Sequence, residues 1–481
     1  MPYMLALRAA DLPTKTAAVL LCAMLVVIPW LHGAELLWEQ MFAAALIFLS
    51  FSMLLLSHSR DKVRHSAVRF SVIFGVIWIC YHVLYLIPMP LSLLKLLSPS
   101  AFSWYTHPLM SESPALSLYR FATLTEVIKF AALVALIPLV YRLCQFRQAA
   151  QLLIIVMVLT AAATSIYSLL NFATEGRFDI VPAIPPWDYP WQEGIRGTYS
   201  YKNQYAVYLA MSVALGTGWC MSIYQSIRLR NVAVTHWLFS LSFLKLATVV
   251  TLTGLLYITL LNTASRGAVL SLSLSLLLVF GSYVLLQADR RRALMRPRVL
   301  IAGSLAVIVG ALLFLQSSAF ERFTNYEFED NGRQQLRETA MHVIADFPLT
   351  GTGAGTYPYV QHNYKPASLG NSGMSQRAHN DYLETLATQG IIGTGLTVLF
   401  IGALLSSVFK RSNAGASPYL LACRCSVLTM LIQSAIDVNL STLWLPVFFI
   451  IICVLGCYFR ETSQSSRTQS EGDEAEQARQ R

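Results

Sequence analysis

Charged side chains are scarce in this chain. Asp, Glu, Lys and Arg make up 12% of its 481 residues, about half of the ~25% usual in soluble domains. A soluble protein of this length could bury a large core, but it would need more charge to cover its surface. The shortage accompanies a hydrophobic fraction of 55% and a mean hydropathy of +0.54, which points to lipid as the solvent. Counting domains by length gives way to counting apolar spans.

Other absences narrow the chemistry. No CxxC pair occurs, and the eight cysteines (22, 80, 144, 220, 423, 425, 453 and 457) sit in apolar runs or at their ends. Neither a disulfide framework nor a zinc site is expected from that pattern. The chain has no H-E-x-x-H and no G-x-S-x-G, which disfavours zinc and serine hydrolysis. It also lacks D-x-D, the usual metal–diphosphate signature of nucleotide-sugar transferases. No metal and no cofactor are called for. There is no convincing internal repeat.

What is present is a series of apolar runs, at about 16–33, 38–57, 67–88, 122–141, 152–171, 204–224, 241–262, 268–287, 299–316, 390–409, 419–438 and 441–459. We therefore expect an all-α polytopic membrane protein with about twelve transmembrane helices. The first run carries Asp11 ahead of it and no small-residue cleavage site after it, so it reads as a retained helix. The net charge of +10 would suggest nucleic acid in a soluble protein. Here the basic residues form short clusters after every even-numbered run: Arg60, Lys62 and Arg64; Arg142 and Arg147; Arg228 and Arg230; Arg290 to Arg298; Lys410 and Arg411. The positive-inside rule sends those loops and both termini to the cytoplasm. Residues 1–460 form one transmembrane domain in this reading, and the tail 461–481, rich in Ser, Gln, Glu and Arg, is a disordered cytoplasmic segment.

The opposite side, the periplasm of a bacterial inner membrane, then receives the polar material. It includes a large loop, 317–389, and the motif-bearing region spans 190–410. Within the loop, Arg333 to Asp346 has helical periodicity and Pro348 stops it. Such a helix could lie along the membrane surface. Gly351, Gly353 and Gly355 imitate part of a dinucleotide loop, but no strand precedes them, and a tight turn is the better reading. A second helix begins near His379 or Asn380.

His379 stands at the mouth of a span, after Arg377 and beside Asp381 and Glu384. A carboxylate can orient an imidazole and raise its basicity. Arginines are unexpected on this side, yet Arg196, Arg266, Arg333, Arg337 and Arg377 are all there, with Lys202. Snorkelling would account for Arg266 alone. The alternative is a guanidinium fork that binds phosphate at the membrane surface. The aromatic residues of this side, Tyr201 among them, fit an interfacial belt.

The block R-A-H-N-D-Y-L-E (Arg377 to Glu384) followed by Gln389-Gly390 resembles the hallmark of the O-antigen ligase and polysaccharide polymerase superfamily. The T-A-S-R-G turn (Thr263 to Gly267) and G-T-Y-S-Y-K-N-Q-Y before a span are similar to that family too. Gly393-Thr394 stands where ligases tend to have a Thr pair, which leaves ligase and polymerase open. The resemblance implies a metal-independent, inverting membrane glycosyltransferase. Its donor would be a glycan on undecaprenyl diphosphate. Its acceptor would be a sugar hydroxyl on lipid A–core or on another lipid-linked glycan. His379 would be the catalytic base, with Arg266 and Arg196 near the diphosphate. Arg333, Arg377, Lys202, Asn380, Asp381 and Glu384 are the expected substrate-binding residues. A protein O-oligosaccharyltransferase shares the donor chemistry and stays open. A transporter of lipid-linked glycan, to which Lys129 and Lys245 near the spans would suit, is the reading of another class.

Overall fold

Apolar runs bounded by caps and turn residues become helices because every backbone polar group in lipid must be satisfied within the segment. A computed structural model describes residues 10–57, 65–108, 112–146, 148–184, 194–228, 240–285, 315, 320, 332–366, 376–410 and 417–479. Among these residues there are helices and no strand; one isolated bridge joins His32 to Tyr199. The long elements in the first half are α1 (Leu12–Val27, extended by a 3-10 turn to Trp30), α2 (Leu37–Leu55) and α3 (Ser66–Leu84). After two short helices, α4 (Leu91–Leu97) and α5 (Pro99–Tyr105), come α6 (Arg120–Cys144), α7 (Ala149–Ala173), α8 (Lys202–Arg228), α9 (Leu241–Asn262) and α10 (Arg266–Leu285). The second half holds α11 (Arg333–Asp346), α12 (Tyr357–Val360), α13 (Asp381–Phe409), α14 (Pro418–Ser434) and α15 (Trp444–Arg479).

Ten of the described helices are long and apolar enough to cross a bilayer: α1, α2, α3, α6, α7, α8, α9, α10, α13 and α15. Two of the about twelve expected runs are not among these ten. The run 299–316 lies outside the described residues. The run 419–438 becomes α14, a helix of 17 residues and so about 26 Å long, short of the ~30 Å hydrocarbon core. It ends at Ser434 because Ala435 to Ser441 leaves the helix. Helix α15 continues beyond its apolar part to Arg479. Its Glu, Gln and Ala are good helix formers, and the span before them supplies the nucleus.

The helices pack around α6 and α15, the most enclosed spans, with α8 against α9, α10 and α14 and α13 against α3. The two ends of the bundle differ in chemistry. At one end Arg424 donates to the carbonyls of Val408 and Lys410 at 2.8 and 2.9 Å. There also Arg460 reaches Ser407 at 3.3 Å and Tyr141 donates to Glu461 at 2.9 Å. At the other end the segments between helices hold one another. Leu118 N–H donates to Thr352 O, Ile195 N–H to Asn262 O, and Thr198 Oγ1 to Pro29 O.

The polar loop is built onto this second end. The helix expected from Arg333 to Asp346 is α11. Ala340 and Val343 are buried there in a cluster with Tyr85, Leu94, Ala101, Phe347 and Tyr357, and Leu336 on the same helix is buried too. Its apolar face therefore rests on protein. The glycine run after it is a turn with positive φ at Gly351, Gly353 and Gly355. It lies against a break in α13 at Gly390, where φ is 64° and ψ is −176°. The N–H groups of Ile391 and Ile392, which have lost their helical partners, donate to Pro348 O and Leu349 O at 2.9 and 3.3 Å. The turn N–H of Gly353 donates in return to Thr388 O at 2.8 Å. A Cβ on Gly390 would lie 2.2 Å from Leu349 O, so the two backbones meet too closely for any side chain.

Candidate functional site

His379 precedes α13 by two residues and is held on both sides. Ala378 N–H donates to Oε2 of Glu384 at 3.1 Å, and Glu384 Oε1 accepts from Arg377 at 2.7 Å. Asn380 caps the helix: its Oδ1 accepts from the N–H groups of Tyr382 and Leu383 at 3.0 and 3.1 Å. Between these anchors His379 adopts φ 48°, a left-handed conformation that costs free energy and persists where the surroundings over-determine it.

The ring is buried, and its Nδ1 lies 2.8 Å from Oδ1 of Asp437 in the segment between α14 and α15. Asp437 is itself buried and collects further donors. Tyr201 Oη donates to Oδ1 at 2.7 Å, and Asn203 Nδ2 and Arg333 Nη2 donate to Oδ2 at 2.6 and 3.1 Å. Burial alone would push the Asp437 carboxyl up, but the hydrogen bond from His379, the Arg333 charge and the bond from Tyr201 outweigh it and hold it below the ordinary carboxylate range. Burial and the Asp437 charge push the Tyr201 phenol well above its ordinary value, so it stays protonated as a donor. An ionised Asp437 fixes the imidazole tautomer: the proton sits on Nδ1 and the lone pair on Nε2. Among the described residues nothing hydrogen-bonds Nε2.

The carboxylates next to His379 in sequence do other work. Asp381 accepts from the N–H groups of Asn439 and Leu440 at 3.0 and 3.1 Å and so fastens the Asp437 segment to the start of α13. Glu384 pairs with Arg377. The orienting carboxylate is Asp437, which the sequence reading overlooked. An Asp at the end of an apolar run was the available signal, because ionisable residues at such places are costly without a function. Tyr201 and Asn203 were visible only as members of a motif.

The arginines divide. Arg333, at the start of α11, reaches the Asp437 carboxylate. Arg266 begins α10 against the last turn of α14. A Cβ on the next residue, Gly267, would lie 2.9 Å from Oε1 of Gln433, whose carbonyl accepts the Asp437 N–H at 2.9 Å. Arg266 thus enters beside the Asp437 segment. Arg196 is committed elsewhere: its guanidinium pairs with Asp179 at 2.6 Å and donates to the carbonyls of Val181 and Tyr199 at 3.0 Å each. Lys202 is buried at the start of α8. At the start of α13 a cavity of about 370 Å³ opens between α6, α13, α14 and α15, with Glu126, Lys129, Arg377, Asp381 and Glu384 among its lining.

A buried histidine with an ionised carboxylate behind it and arginines close by can accept a proton from an alcohol beside an anionic leaving group. No curated protein matches the chain. Residues 249–398 match the family model described as O-antigen ligase, a stretch that holds the T-A-S-R-G turn, His379 and Gly390 and stops short of Asp437. That match supports the recognition drawn from the motifs: the matched region is similar to the O-antigen ligase family.

Proposed function

We propose that the protein is a membrane glycosyltransferase of the O-antigen ligase type. It moves a glycan from undecaprenyl diphosphate to a sugar hydroxyl, with inversion and without a metal. The reaction runs on the periplasmic face of a bacterial inner membrane, with both termini in the cytoplasm. The observation that carries the reading is the His379–Asp437 pair, 2.8 Å apart, with Arg333 on the same carboxylate.

In this mechanism the acceptor hydroxyl gives its proton to Nε2 of His379 as its oxygen attacks the anomeric carbon. The bond from that carbon to the diphosphate oxygen breaks, and its electron pair leaves with the lipid diphosphate. Asp437 stabilises the imidazolium that forms. A positioned base of this kind contributes about 10²–10⁴-fold. Arg266 and Arg333 stabilise the charge developing on the diphosphate in a site of low dielectric. Arg196 enters as the residue that shapes the neighbouring loop, since its own charge is paired with Asp179.

The test is glycan transfer in cells that make the polysaccharide, complemented with His379→Ala, Arg266→Ala or Asp437→Asn at verified expression. Loss of transfer in all three is expected. Wild-type glycan from the His379 variant overturns the mechanism.

A further inference from the structure

Two arginines stand on one face of α11. Arg333 and Arg337 are four residues apart, which is one turn and about 6 Å. Like charges at that spacing repel. Arg333 has a carboxylate to answer it, Oδ2 of Asp437 at 3.1 Å. Arg337 makes no hydrogen bond and no ion pair among the described residues. The two acids of α11 are engaged elsewhere: Glu338 accepts from Gln334 at 2.9 Å, and Asp346 from Tyr364 at 2.7 Å. Yet Arg337 is no freely solvated side chain. It is partly buried, and its Nε is shut off from solvent without a partner. The two Nη groups are not shut off in that way. The guanidinium is therefore wedged by its inner edge and presents its outer edge.

The backbone beneath it favours the same kind of ligand. Gly332 at the N-cap brings no side chain, and the first turn of α11 holds no acid. Its N–H groups and the helix dipole therefore present positive charge. A helical side chain covers the turn before its own Cα, which lays Arg337 over that end. An arginine without a counter-ion, held over an uncapped helix start, suits an oxyanion, which the two Nη groups can bind as a fork.

Its position says which oxyanion. Lys202 and Arg266 are the first residues of helices that can cross the bilayer, the level at which a lipid diphosphate must stay. Helix α11 is not among those helices, and its buried face rests on protein. Arg337 stands one turn farther along α11 than Arg333, away from the reacting centre and among the sugars. We infer that Arg337 binds a negatively charged sugar of the transferred glycan, through a uronic carboxylate or a phosphate substituent, and so selects an acidic polysaccharide. The inference rests on the proposed function for the site and reaches past it to the chemistry of the glycan.

The experiment is a binding titration of the purified full-length protein in nanodiscs. The probe is the free oligosaccharide released by mild acid from the lipid-linked glycan of cells that make the polysaccharide, so it carries no diphosphate. It is used in native, carboxyl-reduced and dephosphorylated form. Wild type should lose about tenfold in affinity for one of the two neutralised forms, which names the acidic group. Arg337→Gln should bind all three forms alike, at the weaker level and with an unchanged melting temperature. Arg337→Lys, which keeps the charge without the fork, should recover part of the loss. Inorganic pyrophosphate should not displace the native probe. A repeat without an acidic group, equal affinity of wild type for native and neutralised forms, or an Arg337→Gln variant that keeps the preference overturns the inference. Displacement by pyrophosphate overturns it too, and gives Arg337 to the diphosphate. The wild-type comparison needs no variant to fold. Acid-selective binding by a protein that transfers nothing would remove only the proposed function, and transfer without acid-selective binding would remove only this inference.

Discussion

His379 and Asp437 stand 58 residues apart in sequence and 2.8 Å apart through Nδ1 and Oδ1. Asp437→Asn keeps the shape but offers an amide where the carboxylate stood. The imidazole then loses its fixed tautomer and the stabilisation of its charged form. Glycan transfer should fall by about 10²–10⁴-fold, measured as turnover of purified protein with a lipid-linked glycan. Near-normal turnover would remove Asp437 from the mechanism.

The Asp437 carboxyl is held below its ordinary range by His379, Arg333 and Tyr201 against the effect of burial. A depressed folded-state value contributes stability that is present above the unfolded value of about 3.9. That stability is lost as pH falls through the folded value. The wild type should therefore be more stable than Asp437→Asn at neutral pH, and the gap should close under acid conditions. Melting temperatures of both forms across pH 3–7 in detergent check the sign.

Arg196 and Arg333 should respond differently to substitution. Arg196→Ala removes the pair with Asp179 and the bonds to two carbonyls, so it should lower stability by about 1–3 kcal/mol. Arg333→Ala removes one of several donors to the Asp437 carboxylate from a partly exposed position, so it should lower the melting temperature less than Arg196→Ala does and reduce transfer. Parallel thermal denaturation and turnover separate the two effects.

Gly390→Ala should be among the most damaging single changes outside the His379 network. Its φ of 64° with ψ of −176° is a glycine conformation, and the added Cβ would meet Leu349 O at 2.2 Å. Backbone strain of this kind costs about 1–3 kcal/mol before the clash is counted. Folded yield after detergent extraction and size-exclusion chromatography reports it, and wild-type yield would contradict the close approach seen here.

Much of this arrangement could be read in the sequence, for identifiable reasons. Helix α11 follows from the apolar spacing of Leu336, Ala340 and Val343 and from Pro348, all local information. His379 could be singled out because it stands in a polar interval at the mouth of a span. Asp437 could not be assigned, because its meaning depends on a contact between distant segments. The two nearest carboxylates, Asp381 and Glu384, were plausible partners until their own bonds to Asn439 and Arg377 were seen. The break after Ser434 was hidden because hydropathy averages over Ala435 to Val438 and reports one continuous run. Arg196 and Arg266 looked alike in sequence, each beside glycine. The pairing of Arg196 with Asp179 could not be read from that spacing.

The clasp between Pro348–Gly351 and the break in α13 fixes more than a bend. The upper half of α13 holds His379 in place, and the lower half is a membrane span whose first N–H groups are bonded by the loop rather than by its own helix. The chemistry is thus mechanically geared to the tilt of one lipid-facing rod. A rod of fixed length tilts as the hydrocarbon layer around it thins or thickens. Turnover in vesicles made from lipids of graded chain length should pass through an optimum, and mutations that loosen the clasp should flatten it. On the proposed mechanism, the thickness of the membrane is felt at the His379 ring.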